Sequence, residues 1–159
     1  MWGIPAAGGT LERVKPVRSG QYAHGPQLLP GGEWLIFTRA ARVNGWNDAE
    51  IVAARLGTDE ERVIVGPGHD ARWVPGYLMF VHDSQLYAIA FDASTRSTSG
   101  EPALIADGLM LATMDTTGAA FYAASDSGVL AYIGRPGVEA QEMVWREDGR
   151  DTALPVAPA

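Results

Sequence analysis

Hydrophobic residues along this chain occur in short runs that glycine, proline, aspartate and serine interrupt every few positions. The segment GHDARWVPGYLMFVHDSQLYAIAFD contains several such runs, separated by Pro75-Gly76 and by His82-Asp83-Ser84. Apolar runs of four to eight residues that are rich in Val, Ile, Tyr, Phe and Trp and bounded by turn residues are typical of β-strands. The pattern therefore predicts an all-β chain.

Fourteen segments fit this pattern, and the helical alternative is weak. The best helix candidate is DAEIVAAR, where Asp48 is a suitable N-cap and the alanines favour helix. Its place in the repeat described next favours a strand instead. The predicted strands are residues 2–5, 13–17, 27–29, 34–38, 50–55, 62–65, 71–74, 77–81, 85–91, 103–106, 119–123, 129–133, 142–146 and 152–156.

Three segments resemble one another when they are aligned: PQLLPGGEWLIFT, ARWVPGYLMFV and AFYAASDSGVLAYI. Each is a strand, a glycine-containing turn and a second strand, and the second strands begin at Trp34, Tyr77 and Val129. A further hairpin follows each of the three, and one more copy of that further hairpin opens the chain. Self-similarity every 40 to 50 residues with four strands per unit is the pattern of β-propeller blades.

The repeat predicts one partial β-propeller over residues 1–159, with about three and a half four-stranded antiparallel blades. The expected units are a half blade at 1–17 and blades at 21–65, 69–106 and 118–156. Consecutive apolar residues in the second strands are expected because both faces of a blade pack against neighbours. We expect burial at equivalent places for Leu35, Phe37, Leu78, Phe80, Leu130 and Tyr132.

With these residues aligned, the repeats resemble TolB-type propellers, particularly the propeller that follows the kinase domain in some bacterial serine/threonine protein kinases. The usual blade motif in that family is close to P-x-F-S-P-D-G-x-x-L-x-F. One repeat here matches it at Pro26, Leu28, Pro30, Gly32, Leu35 and Phe37. The Asp of the Asp-Gly turn is replaced by Gly31 in this repeat and by Ser127 in the third. The resemblance implies a platform for proteins or small ligands, and it implies no catalytic residue.

Composition narrows the classes of partner. The 159 residues are 47% hydrophobic and 19% charged, as in one soluble domain, and the 19 glycines and 10 prolines fit a chain with many turns. No cysteine is present, so disulfides and thiolate chemistry are excluded. The net charge of −7 disfavours nucleic acid and anionic membranes. The chain shows no signal peptide or membrane span, and its location in the cell is left open.

Candidate chemistry is sparse. His24, His69 and His82 lack the spacing of metal ligands. The segment SDSG lacks the surroundings of a nucleophile elbow, and VGPGHD lacks the Lys-Ser/Thr ending of a phosphate-binding loop. We therefore expect no catalytic residue, no metal and no cofactor.

Four residues are candidates for contact with a ligand or partner. Trp46 lies in the polar loop RVNGWND, where we expect an exposed aromatic side chain. Arg72, His24 and His69 lie in or beside first strands, which border the axis of a propeller. The main hypothesis is a non-catalytic interaction module. The alternative is a propeller-based hydrolase or lyase, which requires these last three residues to meet at one cavity.

The count of blades carries an expectation about assembly. Propellers close with at least four blades, and closure covers the blade faces and strand edges. An arc of about three and a half blades leaves both ends uncovered. We expect the chain to be part of a longer propeller or to associate with another copy or a partner through those ends.

Overall fold

The computed structural model describes residues 1–112 and 117–135, together with the backbone of two strands near the C-terminus. Fourteen strands and no helix occur in this described part, so the all-β prediction is confirmed. No helix there has the length and apolarity that crossing a membrane requires. The strands are β1 (Trp2–Gly3), β2 (Glu12–Arg13), β3 (Tyr22–Leu28), β4 (Trp34–Ala40), β5 (Glu50–Arg55), β6 (Glu61–Val65), β7 (His69–Val74), β8 (Tyr77–His82), β9 (Gln85–Asp92), β10 (Ser97–Ala106), β11 (Tyr122–Ala124), β12 (Leu130–Tyr132), β13 (Val144–Glu147) and β14 (Arg150–Ala153).

The strands pair with their neighbours in sequence. The orders β3-β4-β5-β6 and β7-β8-β9-β10 give two four-stranded antiparallel sheets, called here the first and second sheets. The pairs β1-β2, β11-β12 and β13-β14 are hairpins. Tight turns make this sequential pairing possible: Gly76, between β7 and β8, has a φ of 85°, which costs little only for glycine.

The first and second sheets pack face to face. Ile36, Ile51 and Ala53 of the first sheet form one buried cluster with Leu78 and Phe80 of the second. A second cluster on the far side of the second sheet joins Met79 and Val81 to β11. Consecutive residues of β8 thus pack on opposite faces of the second sheet. Because both faces are buried, the strand is apolar at every one of these positions.

The expected equivalence of buried positions holds in two repeats. Leu35, Phe37, Leu78 and Phe80 are all at most 4% exposed. In the third repeat the expectation is wrong for Tyr132, which is 50% exposed. Its cross-strand partner is Tyr122, which is buried and fills this part of the interface with the second sheet instead.

The hairpin formed by β1 and β2, called here the first hairpin, covers only part of the first sheet. Met1 packs with Leu56 on the cluster formed by Leu35, Phe37, Val52 and Ala54. The amide of Gly57 also donates a hydrogen bond to the carbonyl of Val14, at 3.1 Å. The hairpin is therefore attached at the central strands β4 and β5 and at the turn that follows β5, while it gives no such cover to the β3 side of the same face.

Candidate functional site

The first strands of the three repeats, β3, β7 and β11, approach one another beside Asp70. His24 in β3 pairs with Thr38 and His69 in β7 pairs with Val81, and an irregularity in strand register follows each histidine. The next residues, Gly25 and Asp70, have φ values of 61° and 47°. The two repeats therefore place a histidine and then a left-handed residue at the same structural position.

Asp70 is fully buried and connects the three repeats. Its Oδ1 lies 3.2 Å from Nε2 of His24, and its Oδ2 accepts a hydrogen bond from the amide of Ala120 at 2.7 Å. Its own amide donates to Oγ1 of Thr38 at 2.9 Å, and its carbonyl accepts from the Tyr122 hydroxyl at 2.5 Å. A buried carboxylate with these partners joins the strands of the three repeats.

Arg72 lies at the exposed margin of this joint. One of its guanidinium nitrogens, Nη2, lies 3.5 Å from Oδ1 of Asp70, and its guanidinium carbon lies 5.4 Å from the centre of the Tyr122 ring. Burial, and next the charge of Asp70, raise the pKa of Tyr122, so its hydroxyl stays protonated and remains a donor. The side chain of Arg72 is 45% exposed, so part of this cation faces solvent.

His69 faces a different part of the molecule. Its Nδ1 lies 2.8 Å from the carbonyl of Gly118, which can only accept, so Nδ1 carries the proton. Burial lowers the pKa of His69. Its Nε2 is buried without a hydrogen-bond partner among the described residues. His69 also lines a cavity of about 150 Å³, together with Trp46 and Thr117.

The expectation of an exposed Trp46 is wrong, because this side chain is only 7% exposed. Trp46 packs with Ala40 and Ala49 in a small buried cluster, and its ring lies edge-on to His24 at 6.0 Å between centroids. A Cβ on Gly118 would lie 2.7 Å from the indole, so that glycine leaves room for the ring. The loop folds inward because burial of the large apolar indole is favourable, although the other residues of the loop are mostly polar.

The three residues of the enzyme alternative do not meet at the His69 cavity. His24 and Arg72 both approach Asp70, whereas neither lines the cavity beside His69. Among the described residues, no group of three or more His, Asp or Glu side chains is placed to hold a metal ion. Asp70 thus joins strands of the three repeats, with His24 and Arg72 beside it.

Sequence analysis missed Asp70 and Tyr122 as members of this site. A signal was present, since His24-Gly25 and His69-Asp70 occupy the same position in two repeats, and Gly and Asp both tolerate positive φ. Pairing alone does not show that the Asp70 carboxylate reaches two other repeats. Comparison of the chain with family models, with curated proteins and with solved structures gave no match.

Proposed function

We propose that this chain is a partial β-propeller of the TolB type and works as a non-catalytic interaction module. The aligned repeats, the two stacked four-stranded sheets and the meeting of β3, β7 and β11 support this architecture. A propeller binds ligands at the ends of its innermost strands. We assign β3, β7 and β11 to these strands, and Asp70 holds them together. The proposed contact residues are Arg72 and His24.

The partly exposed guanidinium of Arg72 is the observation that carries this proposal. Its distance of 3.5 Å from Asp70 Oδ1 is longer than that of a charge-assisted hydrogen bond, which is about 2.7 to 2.9 Å. Asp70 takes its shorter contacts from His24 and from the Ala120 amide. Arg72 therefore keeps donors for a ligand, while the face of Tyr122 orients it.

An arginine with free donors recognises carboxylate and phosphate groups, because its fork of N–H donors matches two oxygens at once. His24 lies beside the same carboxylate and is 22% exposed in its side chain, so it borders the same surface. The ligand class is therefore a protein segment or small molecule that presents a carboxylate or phosphate. The overall charge of −7 makes this a local attraction rather than long-range steering.

Titration with citrate and with inorganic phosphate tests the proposal, with the Arg72 Nε–Hε resonance and the backbone amide resonances of His24 and Tyr122 followed by NMR. The two backbone resonances also report on binding in the Arg72→Gln variant. We expect saturable shifts at Arg72, and we expect Arg72→Gln to abolish the binding. Arg42→Gln is the matched control, because Arg42 is 74% exposed and its ion pair with Asp48 lies in a separate loop. Shifts that do not saturate, or binding that survives in Arg72→Gln, would contradict the proposal.

A further inference from the structure

An apolar groove of about 400 Å³ separates the first hairpin from the β3 side of the first sheet. Trp2, Ile4 and Leu28 are each more than half exposed within it. Glu12 is the only charged side chain among its lining residues. The apolar lining includes Trp2, Ile4, Val14, Leu28, Leu35 and Leu56.

This groove continues an interface that is already built. Leu35 and Leu28 are cross-strand partners, so they share one face of the first sheet. Leu35 is buried beneath the first hairpin at 3% exposure, whereas Leu28 is 58% exposed. The same sheet face is thus packed at β4 and β5 and open at β3.

The interface between the first and second sheets shows how the equivalent sheet face is covered. There the side-chain amide of Gln27 spans the backbone of Trp73 at the outer edge of β7. Its Nε2 donates to the Trp73 carbonyl at 3.1 Å, and its Oε1 accepts from the Trp73 amide at 2.7 Å. Strand β3 of the first sheet thereby fastens the edge of the second sheet.

Leu28 is the structural counterpart of Trp73. Each residue pairs with the first buried leucine of the following strand, Leu35 and Leu78 respectively. The amide of Leu29 bonds the carbonyl of Trp34 at 2.8 Å. Because bonding direction alternates along an antiparallel pair, the amide and carbonyl of Leu28 point away from β4, toward the open edge.

We propose that this groove binds an extended segment of a partner protein that carries a glutamine or asparagine between apolar residues. Strand β3 ends its sheet, so the outward amide and carbonyl of Leu28 are open to a side chain of the bound segment. A carboxamide carries a donor and an acceptor on one planar group, so it can bond the amide and the carbonyl of Leu28 together, as Gln27 does at Trp73. The apolar lining requires uncharged neighbours of that amide. The inference rests on the proposed interaction function and adds a second, separate surface to it.

A labelled peptide with the sequence of residues 22–30, YAHGPQLLP, is the probe. It contains strand β3, whose Gln27 bonds the Trp73 backbone in the interface between the first and second sheets. Fluorescence anisotropy should show saturable binding to the full chain. A peptide with the change Gln27→Leu should bind about tenfold more weakly, because the two amide hydrogen bonds are lost.

The matched protein variants are Leu28→Glu and Val129→Glu. Leu28→Glu places a charge in the groove and should abolish peptide binding, with an unchanged far-ultraviolet spectrum showing that the fold persists. Val129 is 65% exposed outside the groove, so Val129→Glu should bind the peptide normally. The titration at Arg72 should be unaffected by Leu28→Glu, which separates failure of this inference from failure of the proposed function.

Three outcomes would overturn the inference. One is no saturable binding below about 1 mM peptide, which is only about 4 kcal/mol of affinity. Another is equal affinity for the Gln27→Leu peptide, because the carboxamide would then play no part. The third is a dimer in light scattering that Leu28→Glu dissociates, which would make a second copy of the chain the occupant.

Discussion

At the scale of single residues, Gly25 and Asp70 occupy equivalent positions in two repeats and contribute differently to the contact between them. Gly25 and Asp70 both adopt positive φ after a histidine, but only Asp70 has a side chain. A Cβ on Gly25 would lie 3.3 Å from Oδ1 of Asp70. The absence of a side chain in the first repeat therefore leaves room for the carboxylate that the second repeat supplies.

Replacement of Asp70 by asparagine should destabilise the fold. Asparagine also tolerates positive φ, so the change removes the charge with little backbone strain. The charge-assisted bonds to the Ala120 amide and to His24 weaken, and we expect a loss of about 1.5 to 3 kcal/mol in urea denaturation. Asp83→Asn is the control, because Asp83 has a φ of 49° but is 63% exposed in its side chain. Equal losses in the two variants would exclude a special role for Asp70.

His69 should make stability depend on pH in the weakly acidic range. Burial lowers its pKa in the folded chain, so the unfolded chain binds the proton more readily. Stability should be complete above the ordinary histidine pKa of about 6.5 and should fall as the pH is lowered below it. Urea denaturation between pH 7 and pH 5 should give a smaller pH dependence for His69→Gln than for the natural chain. An unchanged slope would show that His69 is not the source.

At the scale of strands and sheets, the second strand of each repeat carries the packing. Phe80 is 4% exposed, stacks on Tyr87 with ring centroids 5.6 Å apart, and belongs to the cluster between the two sheets. Phe80→Ala should cost about 3 to 5 kcal/mol. Tyr132 holds the equivalent place in the third repeat, but it is 50% exposed, so Tyr132→Ala should cost less than about 1 kcal/mol. Denaturant titration distinguishes the two, and similar costs would mean that the interfaces are alike.

Strand existence could be predicted from sequence, whereas strand ends and inward-folding loops could not. β3 begins at Tyr22 instead of residue 27, since the Gly25-Pro26 pair that indicates a turn instead lies within a register irregularity. β10 begins at Ser97 instead of residue 103 for a similar reason, with Gly100 at a φ of 74°. The DAEIVAAR segment does form a strand, Glu50–Arg55, as its place in the repeat predicted.

The burial of Trp46 shows a different limit of sequence interpretation. Its loop is polar at most positions, and this composition predicted exposure. The ring is nevertheless enclosed by the nearby Ala40 and Ala49 and by the space above Gly118, which comes from a distant part of the chain. Local composition cannot reveal such a site, because part of the room for the ring is left by a glycine more than 70 positions away.

At the scale of the whole molecule, packing is concentrated between the first and second sheets. The cluster there includes residues from β4, β5, β8 and β9, all with neighbours on both sides in their sheets. The first hairpin has strands of two residues, and its side chains Trp2 and Ile4 are largely exposed. It is held mainly at its end, where the buried Lys15 ammonium donates to the carbonyl of Thr58 at 3.1 Å.

This distribution predicts uneven protection in native-state hydrogen exchange. Local opening of the first hairpin exposes little apolar surface, so the amide of Gly3 should exchange at least about 100-fold faster than those of Val52 and Leu78, after correction for intrinsic rates. Peptide bound in the groove should slow exchange at the hairpin, because opening would then also require release of the peptide. The amides of Val52 and Leu78 exchange only when the first and second sheets open, so a bound peptide should slow their exchange less than that of Gly3. Equal protection of all three amides in the free chain would show instead that the hairpin unfolds together with the two sheets as one cooperative unit.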